Sequence, residues 1–451
     1  MNNVLIYAYA VSLPLTAFSI FPWFGFQLSY AITLILGILI IIRAFITGRI
    51  SITARPTNVA VFIFWAASIF SVIGVVTNSY SELGGETPIL KFGKQALALS
   101  FMTLMYFILV IILKEKAILI NAIKLFVVSI FLTTIFGFYQ FIGAFWDLPY
   151  KRLLFNNPSY HLAKEEYGLM GLFRVTSFSP EPSMFANSLL AVIPLMAICY
   201  LNKIKIFGAT IFNAFFLVSM LIAMLLTFSR GGYIIILIIL AIIYFFFKTI
   251  NFSVLLRTFS LFFTLFSLTG LLISQFADAN IISITIERLF STGDITDLSI
   301  LERSTSLVTA FNIFISHPIF GVGLGNFGLY FYEHMPLWGY METDGLPAAN
   351  NLILAIAAET GAVGLISFTY LIWVIIKEGL AAIKRNKEDN LFYSISVGIF
   401  MSFVAVLLHL VIGLATLSFS YLWFLIAGIA LLNQRGEASR CMLGKEKKGD
   451  I

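Results

Sequence analysis

Phe207–Phe247 reads FGATIFNAFFLVSMLIAMLLTFSRGGYIIILIILAIIYFFF, and this stretch decides the fold. Two apolar runs of about 20 residues flank the turn Thr227-Phe-Ser-Arg-Gly-Gly232. A helix of that length crosses a ~30 Å hydrocarbon core. The apolar residues are continuous, not alternating, which excludes a membrane β-barrel. Arg230 is the one charge in the whole stretch. Near bilayer depth a cation costs roughly 2.5–3.5 kcal/mol unless it snorkels or is paired. Gly231 and Gly232 are expected to permit a chain reversal. Arg230 is therefore either an interfacial anchor in a tight turn or a cation kept for function.

The same signature recurs along the chain. With 60% hydrophobic and 11% charged residues and a mean hydropathy of +0.98, the 451 residues hold too little polar surface for a soluble domain. Spans are predicted at 4–24, 27–43, 58–76, 96–113, 120–145, 184–202, 207–229, 231–247, 253–274, 352–376, 391–413 and 417–432. The expected architecture is an all-α polytopic membrane protein of about 12 transmembrane helices. It divides into helices one to five (1–145), a loop (146–183), helices six to nine (184–274), a large loop domain (275–351), helices ten to twelve (352–432) and a basic tail (433–451). The first run lacks a basic leader and a small-residue cleavage site, so it is expected to be retained as a helix. Two cysteines, Cys199 and Cys441, are too few for a disulfide scaffold.

Charge sets the expected orientation. With the N-terminus in the cytosol, the inner side holds 19 of the 28 cations against 7 of the 22 acids, so +12. Arg43, Arg49, Arg55, Lys114 and Lys116 lie there, as does the tail with Arg435 and Lys445. The outer side keeps 9 cations and 15 acids, so −6. Short loops carry the bias, which is the positive-inside pattern, and both termini are expected to be cytoplasmic. The segments 146–183 and 275–351 and the Arg230 turn then lie outside. The inner loops lack a nucleotide-binding Gly-Lys pattern, which disfavours an ATP-driven pump. No matched pair of broken helices is visible, which disfavours a secondary transporter.

On an acidic outer face the few arginines stand out. Arg174 lies in Gly171–Ser183 (GLFRVTSFSPEPS), Arg230 in the turn above, and Arg303 in Leu301-Glu-Arg-Ser-Thr305. Arginine's planar fork of donors matches phosphate, so convergence of several suits a lipid-linked diphosphate. Simpler readings stand beside these. Arg174 and Glu181 form a salt bridge before a helix started by Pro180 and Pro182, or Arg303 pairs with Glu302. Arg288 beside Glu287 has the same ambiguity in a weaker context. His317 precedes Pro318 and the run Ile319-Phe-Gly-Val-Gly-Leu-Gly-Asn326. That run lacks the preceding strand and following Lys of a phosphate cradle, so its glycines are expected to shape a turn. Asn351 is expected to cap a helix. Glu359, about two turns in, is expected to pair with a cation such as an arginine or to stay neutral. His161, His334 and His409 are scattered, and no set of residues has metal-ligand spacing, so no structural zinc is expected.

Four segments together resemble the O-antigen ligase and polymerase family, membrane glycan transferases acting on undecaprenyl-diphosphate-linked sugars. They are Phe173-Arg-Val-Thr-Ser-Phe with Glu181-Pro-Ser-Met-Phe-Ala186; Phe228-Ser-Arg-Gly-Gly232; Glu302-Arg303 with His317-Pro-Ile-Phe-Gly-Val-Gly-Leu-Gly-Asn-Phe327; and Asn350-Asn-Leu-Ile-Leu-Ala-Ile-Ala-Ala-Glu-Thr-Gly361. The resemblance implies a GT-C-like fold in the bacterial inner membrane and a periplasmic active site under the large loop. It implies an inverting reaction without metal or cofactor. It maps diphosphate-gripping arginines onto Arg230 and Arg303, with Arg174 a further candidate. The ligase branch carries His where Asn350 stands, followed by the Asn matched by Asn351. Asparagine is no general base, which points to the polymerase branch, with Glu181 as acceptor base and Asn350, His317 and Glu359 in support. The expected activity is polymerisation of O-antigen or a related surface polysaccharide in lipopolysaccharide biosynthesis. A ligase acting on lipid A-core or protein, and a flippase of lipid-linked oligosaccharide, are the alternatives. Expected partners are the lipid-linked oligosaccharide, the bilayer, a chain-length regulator and a flippase, with no nucleic acid.

Overall fold

The computed structural model describes residues 3–21, 26–48, 55–77, 85–146, 168–169, 172–247, 298–341, 345–413 and 415–446, and the isolated positions 260, 264, 267 and 268. Arg288, His161 and nearly all of the predicted span 253–274 lie outside the described residues. The helices are α1 (Asn3–Ser12), α2 (Leu28–Thr47), α3 (Pro56–Phe70), α4 (Val72–Thr77), α5 (Pro88–Ile112), α6 (Lys116–Trp146), α7 (Pro182–Leu190), α8 (Ile193–Leu201), α9 (Thr210–Leu226) and α10 (Arg230–Phe247). They continue with α11 (Leu298–Ser316), α12 (Phe327–His334), α13 (Leu352–Arg385), α14 (Asn390–Gly413) and α15 (Ser420–Glu446). Two short hairpins complete the described elements: β1 (Ser19–Phe21) with β2 (Phe26–Gln27), and β3 (Gly168–Leu169) with β4 (Leu172–Phe173).

Local chemistry sets many of the ends. Pro56, Pro88 and Pro182 open α3, α5 and α7, where the absent N–H breaks no intrahelical bond. Gly48 closes α2 at φ 64°, its N–H donating to the Ala44 carbonyl at 2.8 Å. Seven stretches among the described residues are long and apolar enough to cross a membrane, and Thr210–Leu226, Arg230–Phe245 and Ser420–Gln434 are shorter apolar helices. The third predicted span is split into α3 and α4, the fourth begins earlier than predicted, at Pro88, and three others differ more. The first, 4–24, is helical only to Ser12, because Pro14 cannot continue the ladder and disfavours a helical Leu13. The sixth is two helices, α7 and α8, with Val192 non-helical two residues before Pro194. The tenth runs on to Arg385 but is broken at Gly361, which has φ 64° and ψ −163°.

The core lies where α15 meets α5, α13 and α14. Trp423, Tyr421 and Phe424 of α15 are fully buried there with Tyr106 of α5. On the outside, Phe45, Val76 and Ile366 are 86%, 78% and 69% exposed. Apolar side chains presented so openly suit a hydrocarbon solvent, not water. A smaller cluster joins Ala310 and Ile313 of α11, Val322, Phe327 and Phe331, and Ala358 of α13. It gives the second half of the predicted loop 275–351 a helical core of its own.

Candidate active site

The turn between α9 and α10 holds Arg230 as the first residue of α10. Its reversal is not made by the glycines, as the sequence suggests. Phe228 makes it, at φ 49° and with its ring buried. Thr227 Oγ1 steadies the turn by accepting the Ser229 N–H at 3.3 Å. Gly231 and Gly232 sit inside the helix and serve close packing. A Cβ on Gly231 would lie 3.3 Å from the His409 ring, and one on Gly232 2.8 Å from Met224 Sδ. Arg174 joins from the other side: its Nε donates to the Thr227 carbonyl at 3.1 Å, and Val175 N–H donates to the Leu226 carbonyl at 3.1 Å. Glu181 follows as the residue before α7, hydrogen-bonded by Ser183 Oγ at 3.1 Å, and α7 packs on α10.

α11 brings Arg303 to the same place. Arg303 is exposed, and its charge acts on the His409 ring that also touches Gly231. His409 is 2% exposed, one turn before the end of α14, and its Nδ1 has no hydrogen-bond partner among the described residues. One turn along α11 from Arg303, Ser306 Oγ accepts the Asn350 N–H at 3.1 Å. Asn351 caps α13 as expected, its Oδ1 accepting the Leu354 N–H at 2.9 Å. It also donates from Nδ2 to the Val411 carbonyl at 2.7 Å, tying α13 to the end of α14. Arg174, Arg230, Arg303, Asn350 and His409 thus gather at one end of the bundle. His409 was not legible as a member. The available signal was a lone ionisable residue within an apolar span, which by default marks function.

The glycine run does a different job. Gly321, Gly323 and Gly325 all have left-handed φ, at 67°, 95° and 84°. They lay residues 318–323 into the break of α13. Val322 and Gly323 N–H donate to the Ala358 and Glu359 carbonyls at 3.0 and 2.9 Å, and Ala362 and Val363 N–H donate to the Pro318 and Ile319 carbonyls at 2.8 and 3.3 Å. Backbone groups freed at the break are thereby satisfied, the condition for irregular chain in a membrane protein. The cradle holds the protein's own acidic side chain: Glu359 Oε1 accepts the Phe327 N–H at 3.3 Å, with the Gly325 amide within electrostatic reach. Of the two expectations for Glu359, a cation partner or neutrality, the cation within electrostatic reach is Lys91 and not an arginine. His317 is carried away from the arginines. It follows the last residue of α11, 14 positions beyond Arg303, or roughly 20 Å along a helix. Its ring packs on Tyr330 and His334 at centroid distances of 5.7 and 5.8 Å. Burial lowers its pKa below 6.5, and the neighbouring His334 adds to the effect.

Beside the glycine run lies a cavity of about 320 Å³, walled by Lys91 and Gln95 of α5, by Gly325, by Leu346–Ala349 and by Glu359. Among the described residues no three His, Cys, Asp or Glu side chains group closely enough to hold a metal ion.

The fold and these sites define an all-α, multi-pass membrane protein. Residues 215–369 match the family model described as O-antigen ligase. Arg230, Arg303, His317, Asn350 and Glu359 fall inside the match; Arg174, Glu181 and His409 fall outside it. No curated protein matches the chain.

Proposed function

We propose that this protein is a polymerase of O-antigen or a related surface polysaccharide, moving a growing glycan from undecaprenyl diphosphate to the next lipid-linked repeat unit. The observation that carries the reading is the meeting of the Arg230 turn and the Arg303 helix around His409, beside Asn350, within a stretch of O-antigen ligase type. An acceptor hydroxyl oxygen attacks the anomeric carbon of the donor glycan. The bond from that carbon to the diphosphate oxygen breaks, and its electron pair leaves with the lipid diphosphate. Arg230 and Arg303, with Arg174 behind the turn, hold the charge that grows there. The hydroxyl proton passes to a carboxylate, for which Glu181 at the head of α7 is the candidate. His409 packs on α10 at Gly231 within electrostatic reach of Arg303, and its place is to position the Arg230 turn. The positive-inside bias sets this end of the bundle in the periplasm, with both termini in the cytoplasm and the domain divisions as read from sequence.

The matched family's description favours one other reading, a ligase that moves finished glycan onto lipid A-core. Purified protein in liposomes with short-chain lipid-linked repeat units separates the two. A polymerase yields a ladder from repeat units alone. A protein that forms product only after lipid A-core is added is a ligase, and the polymerase reading is then discarded.

A further inference from the structure

The cavity beside Glu359 has a character opposite to that of the arginine cluster. Lys91 and Gln95 stand on successive turns of α5, and Glu359 faces them from α13. The Lys91 ammonium and the Glu359 carboxylate act on each other electrostatically, and Glu86 sits 3.8 Å from Lys91 Nζ. Glu86 also pairs with Lys94 at 2.6 Å, so two ammonium groups stand with two acidic side chains, and a diphosphate brought here meets acids as well as ammonium groups. The three lining side chains supply donors (Lys), acceptors (Glu) and both together (Gln), which is what a set of sugar hydroxyls requires. Leu346, Pro347 and Ile356 supply apolar wall and Thr416 and Ser418 add hydroxyls, and sugars present both C–H faces and hydroxyls to such a surface. About 320 Å³ is at the lower end of the roughly 300–1,000 Å³ usual for small-molecule sites.

The cavity is also built and not incidental. Gln95 packs against the Gly325 backbone so closely that a Cβ there would strike its Cγ. Glu359 is fixed by the Phe327 amide, and Leu324 N–H is held by Ser71 Oγ at 3.0 Å. Its wall passes from Ala349 to Leu352, and between them Asn350 bonds to the helix of Arg303. The segment that lines the cavity is thus tied directly to the helix of Arg303.

We propose that this cavity is a saccharide-binding subsite, taking a sugar of the incoming acceptor and recognised through Lys91, Gln95 and Glu359. The acceptor role rests on the glycan-transfer reading; the saccharide binding does not. The test uses full-length protein in detergent and, as probe, the free oligosaccharide repeat unit released by mild acid from the host's lipid-linked pool. Saturation-transfer NMR is expected to show binding to wild type and to Arg303→Ala alike. Gln95→Ala and Lys91→Met are expected to weaken it at least tenfold, and Lys91→Arg to restore most of it. Inorganic pyrophosphate is expected not to compete. Unchanged binding in Gln95→Ala and Lys91→Met, competition by pyrophosphate, or displacement by polyprenyl phosphate would each overturn the proposal. In the liposome assay the same two variants are expected to raise the acceptor KM about tenfold with kcat nearly unchanged. Saccharide binding without any transfer by wild type would sink the transferase reading and the acceptor role, and leave the subsite standing.

Discussion

The role proposed for Arg230 and Arg303 is one that a fork of donors on a permanent charge fills and a lysine does not. Arg303→Ala and Arg230→Lys are each expected to cut product formation by roughly 10²–10³-fold, read as loss of the ladder from protein still present in the membrane. Normal long-chain product from Arg303→Ala would remove that residue from the mechanism. Gly231 is the other decisive residue, because its missing side chain lets the His409 ring approach α10. Gly231→Val is expected to push the ring away and depress transfer without a matching loss of membrane-bound protein. His317 gives a pH prediction. Its folded pKa lies below the ordinary 6.5 because its ring is partly buried. As pH falls, the unfolded chain takes up this proton first, so stability is intact above about 6.5 and declines below it. Between pH 7.5 and 5.5 the wild-type Tm is expected to fall further than that of His317→Phe; equal slopes would refute the account.

At the scale of elements, the broken α13 matters most. Gly361 occupies a backbone conformation that essentially only glycine adopts, and a Cβ there would strike the Ile319 carbonyl. The loop 318–323 can lie in the break only while that contact is open. Gly361→Ala is expected to cost about 1–3 kcal/mol or more, seen as a lower Tm and faster hydrogen exchange at Val322 and Gly323. Protection equal to wild type would mean that the break is not held by this contact. The sequence showed the glycines and gave them a turn. It did not show that the turn is threaded into a helix nearly forty residues along the chain, because the pairing of Val322 with Ala358 is a tertiary contact and leaves no periodicity.

At the scale of the whole molecule, two solvents act on one chain. Exposed Phe45, Val76 and Ile366 face outward, while polar side chains gather at the end that carries Arg230 and Asn351. The charge bias predicts the orientation: a green fluorescent protein fused after Ile451 is expected to fluoresce, and alkaline phosphatase fused within 335–341 to be active. The reverse pattern would turn the proposed site to the cytosol and defeat the reading. By itself the sequence determined the helical membrane class, most span positions, the turn around Arg230 and the cap at Asn351, because length, hydropathy and capping are local properties. Only the tertiary structure decided the rest. It packed His409 against Gly231 within reach of the Arg303 charge, filled the glycine cradle with Glu359, carried His317 away and opened a cavity beside Lys91. Each depends on which helix faces which, and in an apolar chain that is settled by packing shape between distant segments, to which a hydropathy pattern is blind.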